Sequence, residues 1–101
     1  MFIKHTLSDG GVLTLMPLGR LDSNTAPDFQ KSIEKNLTGD VKELVFDFQN
    51  VDYLSSAGLR TVISTYKKLG DIKFSIINVT DTVAEIFKIS GLLDTFNIKF
   101  D

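Results

Sequence analysis

Two adjacent hydroxyl groups, those of Ser55 and Ser56, precede a stretch with the periodicity of a helix. The N-terminus of a helix favours an anion, because its free N–H groups carry a partial positive charge. A phosphate on Ser56 would therefore be tolerated by its own fold, and it would add about -1.5 to -2 charges to the surface. The stretch is a candidate site of phosphorylation.

The same residues also have purely structural explanations. A serine N-cap contributes about 0.5 to 2 kcal/mol, and either Ser55 or Ser56 could serve only as the cap. Gly58 occupies the first helical turn, where glycine costs up to about 1 kcal/mol relative to alanine. An open backbone, which another chain or a phosphate can approach closely, would explain this glycine. Tight packing of the helix against a strand would explain it as well. The residues alone leave these alternatives open.

The elements that position the serines follow from hydrophobic periodicity and from turn residues. Strands are predicted at residues 2–7, 12–16, 43–48, 72–77 and 96–100, and residues 49–55 are predicted to form a loop. Helices that alternate with the later strands imply parallel pairing by right-handed crossovers, whereas the glycine turn after the first strand implies an antiparallel pair. We expect one α/β domain over residues 1–101, with a mixed, mostly parallel sheet and the order β-β-α-β-α-β-α-β.

Three amphipathic helices are expected to pack on this sheet. The first is predicted to begin near Ser23 to Thr25 and to end at Gly39, and the third to be capped by Asp81. The second helix has an apolar face and a solvent-facing side. The apolar face comprises Leu59, Val62, Ile63, Tyr66 and Leu69, and the solvent side comprises Arg60, Thr61, Ser64, Lys67 and Lys68. Pro17 indicates that the second strand lies at an edge or is distorted near its end.

Functional groups of open α/β sheets gather beyond the carboxyl ends of the strands. Asp22 follows one strand, so it shares an end of the sheet with the serines if the two strands are neighbours. We expect Asp22 on a binding surface, with helix capping as the alternative. Asp47 is expected to order the loop that follows it, and Arg60 either contacts a partner or is solvated.

Composition argues against several classes of function. The chain has no cysteine, a single histidine (His5) and a formal net charge of -2. It contains no basic block for nucleic acid, no apolar run of about 20 residues for membrane insertion, and no signal peptide. No catalytic triad, metal-ligand spacing or phosphate-binding loop is present. We expect a cytoplasmic protein that is not an enzyme and that has no cofactor, metal site or catalytic residue.

Four sequence blocks resemble those of one known family. The segment LSSAGLR (Leu54 to Arg60) resembles the signature of STAS domains, in particular the bacterial anti-sigma factor antagonists. GRLD (Gly19 to Asp22), VFDF (Val45 to Phe48) and the region from Val83 to Phe96 match further blocks in the family's order and spacing. The resemblance covers nearly the whole chain and implies a STAS fold.

The resemblance also implies a partner-switching cycle. The unphosphorylated antagonist binds an anti-sigma factor that is also a serine kinase, and this frees a sigma factor. The kinase phosphorylates one serine, here Ser56, and a PPM-type phosphatase resets the switch. Ser55 stands where the family usually has Asp, and it is a second, less favoured acceptor; Ala57 stands where Ser or Thr is usual. The implied partner-binding residues are Asp22, Ser55, Ser56, Ala57, Gly58 and Arg60.

An alternative within the same family is a domain that is not phosphorylated. Such a domain would act as a fixed interaction subunit of a transporter, a lipid-trafficking complex or a signalling complex. It would need the same surface but no reactive serine. We expect a monomer in either case.

Overall fold

The structure is a computed structural model that describes residues 1–91 and the backbone of residues 97–100. Seven strands and three helices follow one another in these described residues. They are β1 (Ile3–Leu7), β2 (Val12–Pro17), β3 (Gly19–Leu21), α1 (Ala26–Asn36), β4 (Glu43–Asp47), β5 (Val51–Leu54), α2 (Ser56–Lys68), β6 (Lys73–Val79), α3 (Asp81–Ile89) and β7 (Asn97–Phe100).

Five of the strands form the main sheet, in the order β1-β2-β4-β6-β7. β1 pairs with β2 in the antiparallel direction, and every other pair in this sheet is parallel. The predicted α/β fold with a mixed, mostly parallel sheet is confirmed. Residue 96, at which the last predicted strand begins, lies outside the described residues.

The prediction that residues 49–55 form a loop was wrong in part. β5 lies within that segment and pairs in parallel with β3, which lies between the predicted second strand and the first helix. Strands of three and four residues are too short to show a hydrophobic period. They are held by burial of Leu21 and Leu54, which pair in register. The eight predicted elements are thus present in the predicted order, with two short strands added.

The core lies between the main sheet and the helices, and phenylalanine rings occupy its centre. The ring of Phe29 on α1 lies 4.9 Å from that of Phe46 on β4, measured between centroids. Phe46 in turn stacks on Phe48 at 5.8 Å. Such aromatic pairs stabilise a core by about 0.5 to 1.5 kcal/mol beyond their buried area. These contacts fix α1 on the sheet and so fix the position of its N-terminus.

The solvent side predicted for α2 is partly wrong. Thr61 is only 8% exposed, and Thr65, one turn later, is also buried. The reason is that α1 packs against α2, so α2 is covered by a helix as well as by strands. The Thr61 hydroxyl donates to the carbonyl of Ala57 at 3.3 Å, which satisfies its polar group inside this contact. Tyr66, predicted on the apolar face, is 41% exposed.

Three predicted details at the ends of elements also change. The N-cap of α3 is Thr80, whose hydroxyl accepts from the Val83 N–H at 3.4 Å, and Asp81 lies in the first turn instead. α1 ends at Asn36, before Gly39. β2 lies between β1 and β4, so the first alternative given for Pro17, an edge strand, is wrong. Pro17 is the last residue of β2, beyond the end of its pairing with β4, and the second alternative, distortion near the strand's end, stays a prediction.

Candidate functional site

The short pair β3 and β5 brings the starts of α1 and α2 to the same end of the molecule. β3 leads into α1, and β5 leads into α2. Because the two strands are parallel and Leu21 is paired with Leu54, both helices begin just beyond the same edge. The Ser55 N–H also donates to the Leu21 carbonyl at 2.9 Å. Asp22 and the two serines therefore share one end of a sheet, as predicted, although it is the small sheet.

The Asp22 side chain organises the turn that opens α1. Its Oδ1 atom accepts from the backbone N–H of Asn24 at 2.9 Å and from that of Thr25 at 3.2 Å. The Asn24 N–H is the main reason why the pKa of Asp22 is lowered, with help from Thr25 and Arg20 and against the opposing effect of burial. Asp22 thus orders the turn before α1, whereas the N-cap of the helix is Thr25, so the capping alternative is wrong in position. The part of Asp22 in a binding surface stays a prediction.

The Thr25 hydroxyl connects this turn back to β3. It accepts from the Asp22 N–H at 2.9 Å and donates to the Arg20 carbonyl at 2.6 Å. This hydroxyl is therefore used within the chain both as a donor and as an acceptor. The start of α1 is a closed network of hydrogen bonds.

An arginine–tyrosine pair, which the sequence did not predict, lies beside this network. The Arg20 guanidinium carbon lies 4.2 Å from the centroid of the Tyr53 ring, within the range of a cation–π interaction. Arg20 Nε also lies 3.5 Å from Asp22 Oδ2. Arg20 is opposite Tyr53 in the β3–β5 register. The signal that would have revealed the pair is the register of the two short strands, which places Arg20 opposite Tyr53.

The structure distinguishes the two serines. Ser55 is the N-cap of α2, and its hydroxyl accepts from the Gly58 N–H at 3.3 Å. Ser56 is the first residue of the helix and is exposed. Within the part of the chain that the structure describes, its hydroxyl makes no hydrogen bond. One of the two hydroxyls is thus engaged in the fold, and the other is available.

The cap also accounts for one departure from the family sequence. Position 55 is the N-cap, and both Asp and Ser are favoured there because each presents a side-chain oxygen to the first-turn N–H groups. Ser55 therefore keeps the structural role that an Asp would have at this position.

Gly58 is explained by close packing. A Cβ atom at this position would lie 2.6 Å from the Leu21 carbonyl oxygen and 2.8 Å from Leu54 Cδ1. Real Cβ atoms essentially never approach so closely, so α2 can lie against β3 only with glycine here. Gly58 is buried, and the side of it that lacks a Cβ faces the core rather than solvent. Gly58 stays a predicted partner-binding residue, and only its backbone is available for such a contact.

Ala57 and Arg60 line a shallow groove between α1 and α2. The groove has a volume of about 370 Å³, and its other lining residues are Ser23, Ala26, Pro27, Gln30 and Thr61. Arg60 is exposed and forms no ion pair with any residue that the structure describes. The groove therefore combines a small apolar floor with an unpaired cation at its rim.

Asp47 orders the loop before β5, as predicted. This buried carboxylate accepts from the Gln49 N–H at 3.1 Å and from Asn78 Nδ2 at 3.2 Å. It thereby ties the loop to β6. Its contacts are internal, and they help to place β5 and the serines that follow it.

The arrangement favours recognition and modification. His5 lies on β1 of the main sheet, while both serines follow β5 of the small sheet, so the fold does not pair them as base and nucleophile. In residues 1–91, no three His, Asp or Glu side chains are grouped to hold a metal ion. No helix among the described residues could span a membrane. The site instead offers an accessible hydroxyl, an unpaired arginine and a groove.

Comparison with known proteins identifies the family. The STAS domain model matches residues 5–101. An anti-sigma-B factor antagonist of Staphylococcus aureus is 28% identical over 83 residues, which cover 80% of this chain and 77% of that protein. A crystal structure of an anti-sigma factor antagonist from Mycobacterium paratuberculosis has a TM-score of 0.85 at 28% identity, covering 97% of this chain and 86% of the other.

The phosphorylated form of the Bacillus cell fate determinant SpoIIAA shares the fold, with a TM-score of 0.74 at 16% identity over 99% of this chain and 92% of that one. The family match spans both helix starts, the small sheet and the groove. The resemblance noted in the sequence is therefore confirmed, and the chain belongs to the STAS domain family.

Proposed function

We propose that this protein is an anti-sigma factor antagonist whose binding to an anti-sigma factor is switched off by phosphorylation of Ser56. Two proteins named for antagonism of anti-sigma factors are each 28% identical to it over most of the chain. The role also agrees with a surface that offers a groove for a partner.

The observation that carries the proposal is the difference between the two serines. A kinase must bring the acceptor oxygen in line with the γ-phosphorus of ATP, so the hydroxyl has to be reachable. Ser56 is exposed and its hydroxyl is not engaged, whereas Ser55 is half-buried and caps the helix. Ser56 is therefore the acceptor, and Ser55 is disfavoured because its modification would require loss of the cap.

The partner binds around the start of α2. The surface comprises the exposed or half-buried groups near the two helix starts, with Arg60 and Ala57 at the groove. A phosphate on Ser56 adds about -1.5 to -2 charges and three acceptor oxygens in the middle of this surface. The added phosphate prevents the partner from binding this surface, whereas the fold itself accommodates the phosphate at a helix N-terminus. The fold of the Bacillus protein named above is known in a phosphorylated form.

The cycle needs two further proteins. The anti-sigma factor acts as a serine kinase: Ser56 Oγ attacks the γ-phosphorus, its proton passes to a base of the kinase, and ADP leaves. A PPM-type phosphatase hydrolyses the ester with water and restores the hydroxyl. This chain contributes the acceptor and the docking surface and no catalytic group.

The test compares the parent protein with Ser56→Ala, Ser56→Asp and, as the matched control, Ser55→Ala. Each protein is incubated with the cognate anti-sigma factor and ATP, then followed by intact mass and by titration calorimetry. We expect the parent and Ser55→Ala to gain one phosphate and to be released. Ser56→Ala should bind and stay bound, and Ser56→Asp should bind weakly.

Release of Ser56→Ala by ATP would contradict the proposal. So would a parent protein that no anti-sigma factor binds or modifies. Stable binding of the unmodified protein within a transporter, a lipid-trafficking complex or a signalling complex would instead favour a fixed interaction subunit.

A further inference from the structure

We propose that Arg60 pairs with a phosphate on Ser56 within α2 and is thereby withdrawn from the groove between α1 and α2. This inference rests on the proposed phosphorylation of Ser56, and it specifies what the phosphate does inside the chain. Phosphorylation would then change the partner surface twice, by adding an anion and by occupying a cation.

Helix geometry places the two residues together. Ser56 and Arg60 are separated by four residues in α2, which spans Ser56–Lys68. Such residues are neighbours on the helix surface, with Cβ atoms about 5–6 Å apart. Helical side chains lean toward the N-terminus, so Arg60 extends back over the turn that begins at Ser56. An anion that precedes a cation by four residues is also the more favourable order.

Both groups are available. The Ser56 hydroxyl makes no hydrogen bond within the described chain, and Arg60 has neither an ion pair nor an aromatic ring contact there. The first turn of α2 contains no acidic residue that would already hold the arginine. A phosphate at position 56 would therefore meet a guanidinium without displacing a carboxylate, and arginine can contact phosphate oxygens through two N–H groups.

Other cations are less suited to this role. Arg20 is held over the Tyr53 ring at 4.2 Å and lies beside Asp22 at 3.5 Å. Lys67 and Lys68 are in the last turn of α2, about 16 to 18 Å along the axis from its start at a rise of about 1.5 Å per residue. Of these four cations, Arg60 needs the least rearrangement to reach the phosphate.

Withdrawal of Arg60 has a consequence for recognition. Arg60 lines the groove together with Ala57 and Thr61. Before phosphorylation, its guanidinium can pair with an acidic side chain of a partner that enters the groove. After phosphorylation, the tethered phosphate competes for the same guanidinium at a high effective concentration. The partner that this surface fits therefore presents a carboxylate to Arg60.

The test measures the phosphate itself. Phosphoserine is placed at position 56 by genetic code expansion, and the phosphorus-NMR shift is titrated in the parent, in Arg60→Gln and in Arg20→Gln. A nearby arginine favours the dianion, so the phosphate titrates at lower pH when the pair forms. We expect the midpoint to rise by about 0.3 of a pH unit in Arg60→Gln, as for an exposed pair four residues apart, and to stay unchanged in Arg20→Gln.

Two further results keep the outcomes distinct. Arg60→Lys should restore part of the shift, and the unphosphorylated Arg60→Gln protein should melt at the parent's temperature. An Arg60→Gln midpoint equal to the parent's would overturn the inference, and so would a rise in Arg20→Gln alone. Failure of every anti-sigma factor to phosphorylate Ser56 would instead refute the proposed function, while this titration would still report on the pair.

Discussion

The two helix starts at this end of the molecule solve the same problem in different ways. At α1, the Asp22 carboxylate accepts from the Thr25 N–H, and the Thr25 hydroxyl accepts from the Asp22 N–H and donates to the Arg20 carbonyl of β3. The Arg20 side chain also contacts the Asp22 carboxylate. At α2, a single hydroxyl, that of Ser55, caps the helix with one bond to the Gly58 N–H. The adjacent Ser56 hydroxyl makes no hydrogen bond within the described part of the chain.

Because of this difference, the groups that stabilise the helix starts are distinct from the hydroxyl that is accessible to modification. A polar group that holds a helix start cannot be modified without loss of that support. A group that holds nothing can be modified while the fold persists. The hydrogen bonds at the start of α1 therefore fix the geometry of the site. At the start of α2, Ser55 is held in place as the cap, whereas Ser56 is accessible to modification. The four substitutions below test this contrast.

The largest effect is expected where the two helix starts meet. In Gly58→Ala, the new methyl group would lie 2.6 Å from the Leu21 carbonyl and 2.8 Å from Leu54 Cδ1. α2 must then move away from β3, and overpacking of this kind costs about 3 kcal/mol. Urea unfolding monitored by circular dichroism gives the change in free energy.

The control for this substitution is Gly39→Ala. No atom lies within 4 Å of a Cβ at position 39, and its φ angle is not in the left-handed region. Its stability should change by less than about 0.5 kcal/mol. Equal stabilities of the Gly58→Ala and Gly39→Ala variants would show that α2 does not depend on the close contact.

The next effect concerns the network at α1. Thr25→Val keeps the shape of the side chain but removes the bonds with the Asp22 N–H and the Arg20 carbonyl, which measure 2.9 Å and 2.6 Å. A loss of about 2 kcal/mol is expected, at about 1 kcal/mol for each bond. Thr25→Ser, which keeps the hydroxyl, should lose clearly less in the same unfolding measurement. An unchanged stability of Thr25→Val would mean that the hydroxyl contributes nothing.

The elements that could be predicted are those long enough to show an apolar pattern in the sequence. The buried strand β4 and the helix α1 each show an apolar pattern over several residues, and both were predicted in place. β3 and β5 were missed because three or four residues cannot show a period. Thr61 was misplaced because the pattern of α2 reports contact with strands and does not report the second contact, with α1.

The site was predictable to a similar depth. The adjacent serines, the glycine and Asp22 were identified from residue type and position. Which serine caps the helix depends on where the first helical turn begins, and this differs by a single residue. The role of Gly58 depends on the Leu21 carbonyl, which lies 37 positions earlier in the chain. The partnership of Arg20 with Tyr53 likewise depends on pairing between distant segments.

A smaller effect is expected at the cap of α2. Ser55→Ala removes the single 3.3 Å bond to the Gly58 N–H, while the Ser55 N–H still donates to the Leu21 carbonyl. The expected loss is about 1 kcal/mol, typical of an N-cap. Ser55→Asn, which supplies another acceptor at the cap, should retain most of the stability. A loss in Ser55→Ala as large as that in Thr25→Val would contradict the contrast between the two helix starts.

The smallest change in stability is expected at Ser56, together with the largest change in regulation. Ser56 is exposed at the first position of α2 and makes no hydrogen bond with the described chain, so Ser56→Ala should change the free energy of unfolding by less than about 0.5 kcal/mol. The same variant should no longer be released by its anti-sigma factor in the presence of ATP. Ser55→Ala should show the opposite pattern, with lower stability and intact release. A clear loss of stability in Ser56→Ala would place this hydroxyl in the structure of the helix start, and the separation of the two serines into a cap and an acceptor would then fail.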